Sequence, residues 1–273
     1  MNSVMSDELE GKRMEAENMM KEAVKKQFGR QARLYTTSSV HAQSPDLAEL
    51  VELVEPKPEF LVLDIATGAG HTAFALAPYV RKVIASDLTF PMLKEAQGSA
   101  GNRSLSNVIA FATDAEYLAF KNETFDAVTC RVACHHFSNI RRAVHEMARV
   151  LKLQGDLVIV DNNVPDDEEL DRFVNAFEKL RDPSHARCYT PTEWKSFLDE
   201  VGIAVDYCEL SKMTLPFDLW IRNAGVPPDR EEILKTRLLT SGDRILTHMN
   251  VIQKDDQPIS FDLDRIIIHG VKR

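Results

Sequence analysis

The sequence contains few cysteines and no long apolar run. Its four cysteines, at positions 130, 134, 188 and 208, form no Cys-x-x-Cys pair and show no spacing typical of a zinc site. Reduced thiols are therefore expected, as in the cytosol. No apolar run approaches the ~20 residues that span a bilayer, and the polar first residues, Met1–Gly11, lack the apolar core of a secretory signal. We expect a cytoplasmic protein without a membrane span.

Basic charge is also scarce. The chain carries 42 Asp and Glu against 33 Lys and Arg, which gives a formal net charge of −9. Proteins that bind nucleic acid usually present a basic patch, so no nucleic-acid partner is expected. A chain of 273 residues can bury one large α/β core, or one core with a small lid.

The most informative segment is Leu61–Gly70, an apolar run that contains Asp64 and ends in a turn with Gly68 and Gly70. A continuous apolar run of this length is typical of a buried parallel strand. Glycine lets the backbone turn sharply and approach a ligand closely, and the amides that open the next helix can face that ligand. The segment therefore predicts a loop that binds a nucleotide cofactor.

Two carboxylates distinguish between the candidate cofactors. Gly68–Ala73 satisfies the G-x-G-x-x-G/A fingerprint of dinucleotide sites. Asp87, at 87 − 64 = 23 positions after Asp64, ends a second apolar strand, where it can accept the ribose hydroxyls of NAD or of S-adenosylmethionine. Asp64 can hold a cationic ammonium but would repel a pyrophosphate, and its alternative role is a structural cap at the strand end. The pair therefore favours S-adenosylmethionine.

Several motifs in order make the chain resemble the class I S-adenosylmethionine-dependent methyltransferases, and within them the ubiquinone/menaquinone-biosynthesis-like group, over about 28–202. Leu63–Gly70 resembles the first motif, Ser86–Leu93 the ribose motif and Thr113–Glu116 the adenine motif. Cys130–Phe137 resembles the end of the fourth strand, and Arg149–Asp156 resembles the turn into the fifth. Ala66 stands where the family often has glycine. Asp156 departs from the paired glycines of the last turn, which we expect to alter only a surface turn.

The resemblance implies an α/β fold with a doubly wound, mostly parallel seven-stranded sheet and helices on both faces. Alternating strand and helix patterns predict the same class. Strands are predicted at 61–66, 82–87, 108–112, 126–131, 156–162, 203–211 and 264–272, and helices at 8–27, 44–54, 71–79, 90–98, 139–151, 167–181, 191–201 and 229–240. The chain divides into an N-terminal helical lid segment (1–43), a cofactor-binding core (44–212), an insertion (213–258) and a final strand (259–273).

The resemblance also implies a set of cofactor-binding residues. These are Tyr35, Asp64, Ala66, Gly68, Gly70, Asp87, Leu88, Met92, Asp114, Ala115, Glu116, Arg131 and His136. In the family, a segment such as Phe28–Tyr35 lies over the cofactor, so Tyr35 is expected near its amino-acid end.

Catalytic residues stay unassigned, with His135, His136 and His41 as candidates. Residues that follow a parallel strand face the cleft, and histidine suits proton transfer at neutral pH. The alternative is that one of the paired histidines packs near the cofactor and the other hydrogen-bonds the backbone. Methyl transfer from a sulfonium requires a base only when the acceptor must lose a proton, because the donor is already activated.

Two further segments allow more than one interpretation. Asp166–Glu169 follow Pro165, so they are expected to form the first turn of a helix, where acidic residues are favourable; a metal site is the alternative, and none is predicted. The insertion carries Phe217 and Trp220, which can line an acceptor pocket or form a small satellite core.

We therefore expect an enzyme that transfers a methyl group from S-adenosylmethionine to a small, partly apolar acceptor by in-line displacement, with a homodimer as one option. A non-catalytic protein that binds S-adenosylmethionine or S-adenosylhomocysteine is the first alternative. A nicotinamide-dependent oxidoreductase is the second.

Overall fold

A computed structural model describes residues 2–36 and 44–273, without the side chains of residues 2–10, 13 and 33–36. Its helices are α1 (Asn2–Thr36), α2 (Pro45–Val54), α3 (His71–Leu76), α4 (Phe90–Asn102), α5 (Ile140–Val150), α6 (Glu168–Arg181), α7 (Pro191–Glu200), α8 (Phe217–Ala224), α9 (Pro228–Leu239) and α10 (Asp243–His248). Its strands are β1 (Leu61–Ile65), β2 (Lys82–Asp87), β3 (Val108–Ala112), β4 (Phe125–Arg131), β5 (Leu151–Asn162), β6 (Ile203–Pro216), β7 (Ile252–Lys254) and β8 (Gln257–Lys272).

The strands form one doubly wound sheet in the order β3-β2-β1-β4-β5-β8-β6. The first five strands of the chain pair in parallel, and β8 runs antiparallel between β5 and β6. The order reverses between β1 and β4, where ligands bind in open α/β sheets, outside the carboxyl ends of the strands. The predicted fold class is confirmed.

Both faces of the sheet are covered, which explains the continuous apolar strands. Leu63 faces a core that includes Trp194 of α7, whereas its neighbour Val62 faces a second core with Leu50 of α2. Alternate side chains of a strand point to opposite faces, so a strand between two helical layers buries both sets. Among the described helices, none is long and apolar enough to cross a bilayer.

The segment between β6 and β8 packs as a satellite core on α6. Trp220 of α8 stacks on Phe177 at 4.8 Å between ring centroids, and its ring meets Phe261 of β8 edge-on at 5.0 Å. Phe217 and Leu234 are buried in the same cluster. The satellite core, one of the two alternatives for the insertion, is therefore present.

The sheet has eight strands and not seven, because β7 forms a short hairpin with β8. The two residues between them, Asp255 and Asp256, have φ values of 51° and 57°, as in a type I′ turn. β7 has three exposed residues, so no alternation of apolar and polar side chains indicated it.

The start of β5 was predicted wrongly. The strand begins at Leu151, which pairs with Phe125, and the register shifts before Asp156 pairs with Ala127. Gln154, with φ 61°, lies inside the strand. Asp156 is therefore not in a surface turn, and its carboxylate accepts a hydrogen bond from the ring of His269 at 3.0 Å.

Several other ends differ from the prediction. β6 runs on to Pro216 because Met213–Pro216 pair with Ser260–Leu263 of β8, so the segment between these two strands is 217–256 and not 213–258. α1 covers 2–36 instead of 8–27, and α4 continues to Asn102. α3 ends at Leu76, and a 3-10 turn that contains Pro78 follows it.

Candidate functional site

A cleft of about 220 Å³ opens at the carboxyl ends of the parallel strands. The predicted cofactor residues that line it are Asp64, Ala66, Gly68, Asp87, Leu88, Met92, Asp114, Ala115, Glu116, Arg131 and His136. Gly70 is not among the lining residues. The side chain of Tyr35 and the whole of His41 lie outside the described residues, so neither prediction has an outcome.

Three residues of the glycine loop have a left-handed backbone conformation. Ala66, Gly68 and Gly70 have φ values of 51°, 55° and 93°. A Cβ on Gly68 would meet no atom within 4 Å, whereas a Cβ on Gly70 would lie 2.5 Å from the ring of Phe74. Gly70 therefore permits α3 to begin against the loop, and only Gly68 presents a bare backbone to the cleft. Ala66 is strained by about 1–2 kcal/mol, which explains the glycine that the family often has there.

Asp64 is buried at the end of β1, and each of its carboxylate oxygens accepts a hydrogen bond. It accepts hydrogen bonds from the hydroxyls of Thr67 (2.5 Å) and Thr129 (2.8 Å). Burial raises the pKa of Asp64 to about 6, although the two hydroxyls lower it. A cation beside this carboxylate would favour its charged form, as the predicted role requires.

Asp87 links the end of β2 to the glycine loop. Its carboxylate accepts the amide of Thr89 at 2.7 Å and the amide of Gly68 at 3.0 Å. Burial raises the pKa of Asp87, while these two amides lower it. The carboxylate is thereby fixed beside Gly68 at the wall of the cleft.

A lysine of α1 holds the two carboxylates of the predicted adenine motif. The Nζ of Lys21 lies 2.7 Å from Asp114 and 2.8 Å from Glu116. Burial lowers the pKa of Lys21, but the hydrogen bonds to the two acids outweigh it and leave the pKa raised. Glu116 also accepts the hydroxyl of Ser138 (2.7 Å) and the amide of Asn139 (2.9 Å). Sequence patterns missed Lys21, because one lysine in a charged helix gives no signal.

The same helix reaches the opposite end of the cleft. The ring of Phe28 packs edge-on against His136, with 4.9 Å between centroids, and Gln27 donates to the carbonyl of Ala224 in α8 at 2.9 Å. Lys21, Val24 and Phe28 of α1 thus line the cleft.

His135 and Asp161 form a buried pair at the end of β4 and β5. The Nδ1 of His135 lies 2.6 Å from one carboxylate oxygen of Asp161, and the backbone amide of His135 donates to the other at 2.8 Å. Burial alone would lower the pKa of His135, but the charge and the hydrogen bond of Asp161 raise it. Asp161 therefore fixes both the ring and the backbone of this histidine.

His136 has the opposite electrostatics. Its Nδ1 lies 2.9 Å from the carbonyl of Ser184, so this nitrogen carries the proton of the neutral ring and Nε2 can accept. Burial, followed by the charge of His135, lowers the pKa of His136 to about 4. At neutral pH His136 is an uncharged hydrogen-bonding group.

Two arginines share one carboxylate at the other side of the cleft. Asp46 of α2 pairs with Arg131 of β4 at 2.9 Å and with Arg265 of β8. Apolar side chains that line the cleft include Met213, Leu215, Leu219, Trp220 and Leu263. Arg265 was not predicted, although an arginine directly before the apolar run Ile266–Ile268 is a signal.

The acidic run Asp166–Glu169 opens α6, as predicted, with Glu168 and Glu169 in the first turn. Asp167 caps the helix by accepting the amides of Glu169 and Leu170, both at 3.1 Å, and Arg244 pairs with Asp167 and Glu169. In 2–36 and 44–273, no group of three or more His, Cys, Asp or Glu side chains is arranged to hold a metal ion.

Comparisons with known proteins agree with this geometry. A methyltransferase domain family matches residues 63–159. The chain is 41% identical over 249 residues to YcgJ of Bacillus subtilis, described as an uncharacterized methyltransferase, across 90% of this chain and 98% of that protein. The crystal structure of the YcgJ protein has a TM-score of 0.82 at 39% identity and covers 83% of this chain and 97% of that one. A demethylmenaquinone methyltransferase of Thermobifida fusca is 35% identical over 48% of this chain and 55% of its own length.

These similarities exclude the nicotinamide alternative, because the matched blocks extend well beyond the glycine turn that both cofactor classes share. The protein is a methyltransferase that uses S-adenosylmethionine. Part of the chain is similar to methyltransferases of ubiquinone and menaquinone biosynthesis, and the chain belongs to the class I S-adenosylmethionine-dependent methyltransferases.

Proposed function

We propose that this methyltransferase acts on a small, partly apolar acceptor by in-line displacement. The observation that carries the proposal is the enclosed shape of the cleft. α1 crosses it and joins α8 through Gln27 and Ala224, so the interior admits a small molecule more readily than a polymer chain. Leu219 and Trp220 of α8, together with Met213 of β6, provide apolar walls, as in most small-molecule sites.

The cofactor end is assigned to four residues. Asp64 binds the ammonium group of the amino-acid part, and Asp87 accepts hydrogen bonds from the ribose hydroxyls. Asp114 faces the adenine, and Gly68 lets the cofactor approach the backbone closely. Bound S-adenosylmethionine supplies an activated methyl group on a sulfonium. The residues of the cleft need only align the acceptor with that methyl group and exclude water.

His135 is the better of the paired histidines for removing a proton from the acceptor. Asp161 at 2.6 Å keeps the proton of the neutral ring on Nδ1, which leaves Nε2 as the basic atom, and the pKa of His135 is raised. His136, with a pKa near 4, is too weak a base. We therefore assign His135 as general base for an acceptor such as a phenol or a carbon acid, and His136 as a hydrogen-bonding wall of the cleft.

The same proposal includes a division of the chain into a core and two covers, and a location in the cytoplasm. α1, from the predicted N-terminal segment, and residues 217–256, from the predicted insertion, serve as covers of the acceptor end, and the strands β1–β6 and β8 with their helices form the cofactor-binding core. Cys130, Cys134 and Cys188 are buried free thiols, a state that is typical of cytosolic proteins.

A transfer assay tests the proposal. The purified protein is incubated with S-adenosylmethionine labelled in the methyl group and with a bacterial extract separated by size into metabolites and macromolecules. The expected result is label in the metabolite fraction, reduced at least about tenfold when Asp87→Asn replaces the wild type and the cofactor is not saturating. Label found only in macromolecules would contradict the small acceptor. Tight binding of S-adenosylhomocysteine without transfer to either fraction would favour the non-catalytic alternative.

A further inference from the structure

Two neighbouring side chains at the acceptor end of the cleft have hydrogen-bonding groups without a protein partner. Arg265 of β8 and Asn162 of β5 face each other across the antiparallel ladder, and both line the cleft. Within the part of the chain that the structure describes, the Nε of Arg265 and the Oδ1 of Asn162 are buried and unpaired. Buried polar groups in folded proteins are normally satisfied, so such a pair beside a cleft indicates a missing ligand.

The contacts of Arg265 leave most of its donors unused. Its side chain is 8% exposed, and its guanidinium group has five N–H donors. One terminal nitrogen pairs with Asp46, and the other points at the sulfur of Met213 at 3.0 Å, which is a weak acceptor. Burial lowers the pKa of Arg265, while Asp46 and Asp161 raise it. Charge buried with so few oxygen partners is costly, and an anionic ligand would remove that cost.

The carboxylates near Arg265 already have other partners. Asp46 is shared with Arg131 at 2.9 Å. Asp161 uses one oxygen for the ring of His135 and the other for the His135 amide. Neither carboxylate is placed to satisfy the Nε of Arg265.

We propose, on the basis of the proposed function, that Arg265 and Asn162 bind a carboxylate carried by the methyl acceptor. The planar N–H groups of arginine match the two oxygens of a carboxylate. The amide of Asn162 supplies a further donor, because rotation by a half-turn exchanges its oxygen and nitrogen. The acceptor is then an organic acid whose apolar part lies against Met213 and Leu219.

The position in the sheet assigns this carboxylate to the acceptor and not to the cofactor. The glycine loop follows β1, and β4 and β5 separate β1 from β8. Three strand spacings of about 4.8 Å place the backbone of Arg265 about 14 Å from the strand that carries Asp64.

The test follows the Arg265 Nε–H resonance in the protein loaded with S-adenosylhomocysteine. Acetate, the probe, replaces chloride at constant ionic strength, and the ¹H–¹⁵N signal that disappears in Arg265→Met is monitored. We expect a saturable shift at millimolar acetate. Asn162→Asp places a carboxylate opposite Arg265 and should weaken acetate binding at least about tenfold. Arg141→Met, at an exposed arginine that pairs with Glu200, should leave the titration unchanged.

Three results would overturn the proposal. The first is no acetate-dependent shift of Arg265 in the wild type. The second is a shift in the cofactor-free protein that S-adenosylhomocysteine abolishes, which would assign the position to the cofactor's own carboxylate. The third is equal acetate binding by the wild type and Asn162→Asp. The transfer assay is run separately: label found only in macromolecules contradicts the proposed function, whereas label in the metabolite fraction with no acetate effect contradicts only the anion site.

Discussion

Replacing Gly68 with alanine tests whether the glycine loop serves the cofactor or only the turn. Gly68 and Gly202 form a matched pair, since they have φ values of 55° and 75° and a Cβ built on either meets no atom within 4 Å. Alanine at a left-handed position costs on the order of 1 kcal/mol through backbone strain. Gly68→Ala and Gly202→Ala should therefore lower the free energy of unfolding by similar amounts, or the melting temperature by about 2–4 °C.

Cofactor binding should separate the two variants. Only Gly68 lines the cleft, so only its new methyl group would occupy space that the cofactor needs. We expect Gly68→Ala to raise the dissociation constant of S-adenosylhomocysteine at least about tenfold, which is about 1.4 kcal/mol, and Gly202→Ala to leave it unchanged. Thermal melts and titration calorimetry measure both quantities. Wild-type affinity in a folded Gly68→Ala protein would refute the proposed path of the cofactor over this loop.

Three further variants probe the site and the fold. Asp87→Asn should weaken S-adenosylhomocysteine binding by about 1.5–3 kcal/mol, the range for a hydrogen bond to a charged group; calorimetry that shows wild-type affinity would move the ribose elsewhere. The hydrogen bond to Asp156 raises the pKa of His269 despite partial burial, and Asp206 adds to it. His269→Gln should therefore destabilise the protein below pH 6.5, where the protonated ring contributes fully, and progressively less as the pH rises through the raised pKa. Denaturant titrations that show equal losses in acid and alkali would contradict this. Thr190→Ala removes a capping box with Glu193 and should cost about 1 kcal/mol in the same titrations, and no change would mean that α7 needs no cap.

The cofactor half of the molecule was predictable because its signals are local. β2 and β3 have the predicted bounds, 82–87 and 108–112, since each is an apolar run between polar turns. The loop after β1 was recognisable because its sharp turn requires a glycine at position 68. The position of Asp87 was predictable because one strand–helix–strand unit has a typical length.

Contacts between distant parts of the chain could not be predicted in the same way. Lys21 reaches Asp114 across more than ninety positions, and Arg265 meets Asp46 across 219, so no spacing in the sequence connects them. The early start of β5 was missed because Gly155 suggests a turn, whereas its backbone lies so close to β4 that a Cβ would approach the carbonyl of Asp126 to 2.8 Å. Contacts of this kind are determined by tertiary packing and leave no periodic pattern.

The attachment of α1 at both ends of the cleft has a consequence for turnover. Lys21 binds the carboxylates of one end and Gln27 binds the carbonyl of α8 at the other, and fewer than two helical turns separate them. We expect a helix segment this short to move as a rigid rod, so that the two ends of the cleft open together and both reactants pass through one opening. We therefore expect the spent cofactor and the methylated product to leave in the same opening event, which must break the ion pairs of Lys21. Because these pairs are partly buried, salt should screen them only weakly.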